Sequence, residues 1–149
     1  MQIDCLWTVQ DFNELSPETL YQILKLRVDI FMLEQNCLYP DLDGKDLSCR
    51  HLYAMHEGQV IAYVRLLPAG LSYPEASIGR VVVHPAYRKF KIGRELMERA
   101  IATLREPHKQ PIQIGAQAYL YKFYNSLGFK RNSEEYLEDG ILHIDMLLS

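Results

Sequence analysis

The sequence predicts a single α/β domain, in the looser α+β sense: a mixed sheet with helices on its faces. Three observations carry that expectation. The chain has 149 residues, the length of one domain with one substantial core. Its composition, 48% hydrophobic and 23% charged, is that of a soluble globular protein and too apolar for a disordered one. Strand-like and helix-like periods follow one another as strand, helix, three strands, helix, strand, helix, two strands. Neither repeat nor linker interrupts residues 1–149, which form one domain.

Each element has its own signal. Alternation over Gln2 to Trp7 suggests a first strand. Ser16 followed by Pro17 starts a helix, because serine caps the free amides and proline suits the first helical position. Leu20, Ile23, Leu24, Arg27, Val28 and Phe31 then keep helical spacing. After the acidic, turn-like segment Tyr39 to Ser48, a hairpin pairs His51 to His56 with Val60 to Leu67 around Glu57-Gly58-Gln59. Ile78 to Val83 is a short β-branched run ending at His84-Pro85, which fits a buried strand. Ile92, Leu96, Ala100, Ile101 and Leu104 form a helical stripe that stops before Pro107. Ile112 to Ala116 is a further strand, and Leu120 to Leu127 a short helix closed by Gly128. Lys130 to Tyr136 and Ile141 to Leu148 make a final hairpin about Glu138-Asp139-Gly140.

Charge and cysteine usage exclude several functions. A net charge of −3 argues against a general nucleic-acid binder, which needs clustered basic residues in surplus. Met1-Gln2-Ile3-Asp4 has no basic leader region, and no segment has the apolar length of a membrane span. A cytoplasmic protein without membrane or nucleic-acid partners is expected. Cys5, Cys37 and Cys49 have no C-x-x-C spacing, and the five histidines form no i, i+4 pair, so neither a disulfide framework nor a metal site is indicated.

One basic cluster stands out in this acidic chain. From the strand at Val81, Val82 and Val83 the chain runs through a loop into a helix N-terminus, with Arg88, Lys89, Lys91 and Arg94 within seven residues. Free amides and the helix dipole favour a phosphate there. On composition alone the same charges suit the solvated start of an amphipathic helix. Neither a Walker sequence nor G-x-G-x-x-G is present.

The segment Arg88-Lys89-Phe90-Lys91-Ile92-Gly93, followed by Arg94, resembles the coenzyme A loop of the GNAT superfamily: Arg or Gln, two residues, Gly, one residue, then Gly or Ala. Arg88 and Gly93 match, and Lys91 stands at the first glycine. A second stretch, Gln117 through Phe129, resembles the later GNAT signature, with Phe123, Tyr124, Gly128 and Phe129 in place and Gln117 at the usual Asn. Nearly the whole chain is similar to the ElaA family of bacterial GNAT proteins, through Leu26 to Asn36, the acidic loop, Ile78-Gly79-Arg80-Val81, Gly115 to Ala118 and Glu138 to His143. The resemblance implies a mostly antiparallel sheet of about seven strands, two of them splayed to bind acyl-coenzyme A. It also implies an acetyltransferase using acetyl-coenzyme A as cosubstrate and a small-molecule or peptide amine as acceptor, acting as monomer or homodimer.

By the same resemblance, the backbone of Val81 to Val83 pairs with pantetheine as an added strand does, the amides of Lys89 to Arg94 take the pyrophosphate, and Gln117 contacts the pantetheine. Tyr124 is placed as the general acid, although Leu120, Phe123, Tyr124 and Leu127 also read as an apolar core stripe. Reference pKa values near 10 for tyrosine and 8.5 for a thiol make full proton transfer to the leaving thiolate uphill by about 2 kcal/mol. Glu34, His51 and His143 are base candidates by residue type, and a water chain is the alternative. For the acceptor, Arg27, Phe31, Glu34, Asp41, Asp43, Arg80 and His143 are expected near the site. Asp41, Asp43 and Asp46 either attract a cationic amine or form a solvated loop, and Arg27, Glu34 and Arg80 suit a buried charge network. A calcium loop at Asp41 to Gly44 is excluded, because Leu52 occupies the position of the bidentate glutamate. Arg27, Phe31, Asp43 and Asp46 also resemble acyl-homoserine lactone synthases, and an idle acyl-coenzyme A sensor is the non-enzymatic alternative.

Overall fold

A computed structural model describes residues 2–149. The strands, in chain order, are β1 (Leu6–Asp11), β2 (Arg50–His56), β3 (Gln59–Leu67), β4 (Ala76–Val83), β5 (Ile112–Gln117), β6 (Lys130–Arg131), β7 (Tyr136–Glu138) and β8 (Ile141–Leu148). The helices are α1 (Pro17–Arg27), α2 (Ile92–Leu104) and α3 (Tyr121–Ser126). One sheet runs in the order β1, β2, β3, β4, β5, β8, β6, with β7 also on β8. Every pairing is antiparallel except β4 with β5.

Three boundaries differ from the sequence reading, each for a local reason. β1 lies later than Gln2 to Trp7, because its partner β2 supplies ladder positions from Leu6↔Met55 to Asp11↔Arg50. The first helix, capped by Ser16, changes after Arg27 into a widened π turn over Val28–Glu34. There Gln35 and Cys37 amides reach back five residues to Ile30 and Met32. The expected strand Lys130 to Tyr136 is broken in two, giving eight strands rather than seven. The break falls where the Ser133 hydroxyl takes the Asp145 amide at 2.8 Å in place of a ladder carbonyl.

Two cores form on the two sheet faces. Against one face, Leu96, Met97, Ala100 and Leu104 of α2 meet Ile61, Ile114, Ile144 and Met146. Against the other, Ile23, Leu26 and Ile30 meet Tyr53, Val60, Tyr63 and Val82. Each leucine, isoleucine, valine or methionine among them contributes roughly 1.5–3 kcal/mol on burial.

α3 ends in a Schellman turn, in which the Phe129 amide reaches the Tyr124 carbonyl and the Gly128 amide that of Asn125. The turn requires Gly128 at φ +103°, and a Cβ there would stand 2.9 Å from Leu148 Cδ1. Gly128→Ala is therefore expected to cost about 1–3 kcal/mol, read as a lower denaturant midpoint at unchanged slope. An unaltered midpoint contradicts the assignment.

Candidate functional site

β4 and β5 are ladder partners only at Ala76↔Ile112 and Ser77↔Gln113; beyond that they part. The cause lies in β4. Between Tyr63↔Val82 and Arg65↔Gly79, β4 spends one residue more than β3, which is a β-bulge, and Arg80 within it has φ +55°. A bulge bends its strand and sharpens the twist, here away from β5. The left-handed backbone of Arg80 costs roughly 1–2 kcal/mol. Its side chain is held by Asp41 Oδ1 at 2.8 Å, the Asp41 carbonyl at 2.9 Å and the Tyr39 ring at 5.4 Å.

The splay opens a cleft of about 830 Å³. The His84 amide bonds the Ile61 carbonyl at 2.7 Å, so by antiparallel alternation Val83, opposite Ala62, turns its own N–H and C=O away from β3. They face the gap. Val81 to Val83 and Gln117 line it, with the Gln117 amide donating to Gln35 Oε1 at 3.3 Å.

At the mouth, α2 begins with Lys91 in the left-handed region, φ 60°, and without a side-chain cap. That geometry accounts for the glycine the family pattern prefers at this position. The first amides of α2 therefore stay available, and a Cβ at Gly93 would meet only Val83 Cγ2 at 3.7 Å. Lys89 lies over the Phe90 ring, and Arg94 ties α2 to the Ser126 hydroxyl at 2.9 Å. The Phe90 ring packs on the core and Ile92 is buried, so these two contribute backbone to the mouth. Arg88 folds inward: Nε donates to the Val83 carbonyl at 3.1 Å and Nη2 pairs with Glu34 at 2.9 Å.

Deeper in the cleft, Tyr124 is only 7% exposed, with its ring edge-on to Phe123 and Phe129. Burial above all, then Tyr119, pushes its pKa up to about 12. His143 Nδ1 lies 2.8 Å from the Ile141 carbonyl. A carbonyl only accepts, so in the neutral ring Nδ1 carries the hydrogen and Nε2 the lone pair. Nε2 is 3.6 Å from Glu138, and the ring stacks on Tyr136.

The acceptor-side residues divide. Phe31, Glu34, Asp43, Arg80 and His143 line the cleft, whereas Arg27 and Asp41 do not. Arg27 has no exposure and Asp41 has 3%. Their expected direct contact with substrate is corrected to a supporting place behind the wall. Arg27 donates to Asp41 Oδ2 at 3.0 Å, to Asp46 Oδ1 at 2.9 Å and to the Asp41 carbonyl at 3.1 Å. Arg65 closes the network onto Asp43 and Asp46. Glu34 is outside it, taken by Arg88. The acidic loop is thus matched by arginines rather than being a bare anionic surface. His51 is remote from the cleft, fixed between the Tyr63 hydroxyl at 2.6 Å and the Asp46 carbonyl at 2.9 Å. Its burial lowers its pKa.

The residues 30–149 match the acetyltransferase (GNAT) domain model. The chain belongs to the GNAT acetyltransferase family. Among its relatives, the Escherichia coli K12 protein ElaA is 42% identical over 144 residues, 94% of each chain. A Schizosaccharomyces pombe UPF0039 protein is 41% identical over 140 residues, 92% of each. An acyl-CoA N-acyltransferase from Pseudomonas aeruginosa superposes with a TM-score of 0.93 at 38% identity, covering 98% of this chain and all 100% of that one. A coenzyme A-dependent acyl-homoserine lactone synthase shares the fold, with a TM-score of 0.79 at 15% identity over 97% of this chain and 83% of its own. This GNAT chain therefore has the fold that the two motifs implied.

Sequence reasoning missed Arg65, the bulge at Arg80 and the Arg88–Glu34 pair. A signal existed for the first, since Arg65 is the lone charge in Val60 to Leu67, and a charge inside an apolar strand needs a buried partner.

Proposed function

We propose that this GNAT protein is an acetyl-coenzyme A-dependent N-acetyltransferase that moves the acetyl group to an amine by direct attack on the thioester. The observation that carries the reading is the splayed pair β4 and β5, with an uncapped helix N-terminus at its mouth. A pantetheine arm fits the gap as an added strand on Val81 to Val83, supported by Gln117. The amides from Lys89 to Arg94 meet the pyrophosphate.

The amine nitrogen attacks the thioester carbonyl carbon while a backbone N–H of the Val81 to Val83 segment stabilises the oxyanion. The carbon–sulfur bond then breaks, and the thiolate leaves toward the Tyr124 hydroxyl. The proton lost by the amine passes to His143 Nε2, with Glu138 placing negative charge beside it. Glu34 serves as a second acceptor-side carboxylate when Arg88 turns out to the phosphates. Arg27 and Asp41 act by holding Arg80, Asp43 and the acidic loop in position.

Calorimetric titration with acetyl-coenzyme A, followed by thiol release against a panel of amines with mass measurement of products, tests the proposal. One-to-one binding and an acetylated product are expected. No heat of binding at high micromolar concentration overturns the reading.

A further inference from the structure

The acceptor side of the cleft carries charges of both signs that are not matched to one another. Three guanidiniums, Arg27, Arg65 and Arg80, face three carboxylates, Asp41, Asp43 and Asp46, so that cluster is neutral as a whole. Lys45 stands outside the balance. Its Nζ donates to the Ser72 hydroxyl at 2.7 Å, and among the described residues it has no carboxylate within 4.0 Å. An ammonium has three hydrogens, so two remain for the cleft that Lys45 and Ser72 both line.

Elsewhere along the same cleft the polarity reverses. Glu138 and Asp139 border the cleft beside His143. Tyr73, the neighbour of Ser72, donates to Asp145 Oδ1 at 3.4 Å, and Tyr136 donates to the same oxygen at 2.7 Å. Asp145 also lacks a basic partner within 4.0 Å among the described residues, so its charge polarises both phenols. Gly115 keeps this arrangement possible: a Cβ there would stand 2.9 Å from the Tyr73 hydroxyl and 3.0 Å from that of Tyr136. The Tyr73 oxygen keeps lone pairs for an amine hydrogen. The cleft thus offers an unmatched cation near Ser72 and hydrogen-bond acceptors with negative charge near Tyr73 and His143.

Resting on the acetyl-transfer reading, we propose that the acceptor is an amine that also carries a carboxylate, an amino acid in the broad sense, with its carboxylate on Lys45 and its amine toward Tyr73 and His143. A single ammonium beside a neutral hydroxyl suits a singly charged carboxylate, whereas a dianionic phosphate would meet Glu138 and Asp139 unfavourably. In the reaction the nitrogen–acyl carbon bond forms, the carbon–sulfur bond breaks, one amine proton passes through His143 to solvent, and the carboxylate is unchanged.

The test uses the full chain with acetyl-coenzyme A, whose binding is first confirmed by calorimetry so that failure of the donor reading is seen separately. Acceptors are the protein L-α-amino acids and the series glycine, β-alanine, 4-aminobutyrate and 6-aminohexanoate, each beside its carboxamide. At least one acid is expected to exceed its amide about tenfold in kcat/KM, roughly what one charge-assisted contact gives. In Lys45→Met that ratio falls to near one through a raised KM for the acid, and Lys45→Arg restores most of it. Three outcomes overturn the proposal: amides that match their acids throughout, no acid acetylated by a protein that binds the donor, or a Lys45→Met ratio equal to that of the wild type. The third outcome, when it comes with weakened acetyl-coenzyme A binding, assigns the lysine to the donor.

Discussion

Replacing Arg27 with alanine is expected to lower the unfolding free energy by about 3–5 kcal/mol, because it strands parts of two buried carboxylates. Arg27 is fully buried and spends three donors on Asp41 and Asp46, with its guanidinium 5.7 Å from the Tyr63 ring. Alanine leaves Asp41 to Arg80 and Asp46 to Arg65, and a cavity where the side chain was. Lysine does not rescue it, since a point charge cannot replace a fork that reaches two acids at once. Urea unfolding followed by circular dichroism reads the effect, and a loss below about 1 kcal/mol, the range of exposed pairs, contradicts the buried network.

Acid gives the same network a second signature. Burial alone would raise the Asp46 pKa, but the hydrogen bond and charge of Arg27, then those of Arg65, outweigh it and lower it. Asp43 behaves alike, with burial opposing and Arg65 dominating, and falls from 3.8 to about 2. A folded-state pKa below the unfolded one means stability that is present above the unfolded value and lost as pH drops through the folded value. Wild-type stability should therefore decline from about pH 4 towards pH 2. In Arg27→Ala the Asp46 depression is smaller, so the gap between variant and wild type narrows over that interval.

How much of this was legible in the sequence depended on the range of the interaction. Elements with a local code were readable: Ser16-Pro17 starts α1, Gly128 ends α3, and the β-branched run Ile78 to Val83 is β4. The helix start proposed for the coenzyme A pyrophosphate was readable as a helix start, because the spacing of Arg88 and Gly93 marks it and the chemistry proposed there rests on backbone amides. Lys91 shows the limit of a pattern: it departs from the preferred glycine in side chain while keeping the φ > 0 for which glycine is preferred. Arg80 was named as a site residue, yet its bulge depends on the register of β3, which no local pattern in β4 encodes. Arg27 and Asp41 were each expected near the acceptor, Arg27 alternatively in a buried charge network with Glu34 and Arg80, but their pairing with each other was not read. Which side of a wall a charge faces follows from tertiary packing, here from the widened turn after Arg27 that brings Phe31 and Glu34 to the cleft instead. The Lys45, Ser72 and Tyr73 grouping joins loops 27 residues apart and left no trace in either segment alone.

The largest effect on chemistry is expected from Tyr124→Phe. A phenol at about pH 7 meeting a thiolate whose conjugate thiol has a pKa near 8.5 would already give up its proton uphill, and burial makes the step steeper by lifting Tyr124 to about 12. In the proposed reaction the part left to Tyr124 is therefore a hydrogen bond donated to the thiolate as the carbon–sulfur bond breaks, with solvent completing the protonation. A hydrogen bond to a charged group is worth about 1.5–3 kcal/mol, which converts to a loss of roughly 10–150-fold in kcat. KM for acetyl-coenzyme A should hardly move, since the bond strengthens only as charge develops. The fold should also persist, because the ring keeps its contacts with Phe123 and Phe129. Because Tyr124 stays protonated well above neutrality, the ratio of wild-type to variant turnover should be flat from about pH 7 to 10. Turnover equal to the wild type, measured by thiol release at saturating acceptor, removes Tyr124 from the chemistry and returns it to the core of the helix that carries it.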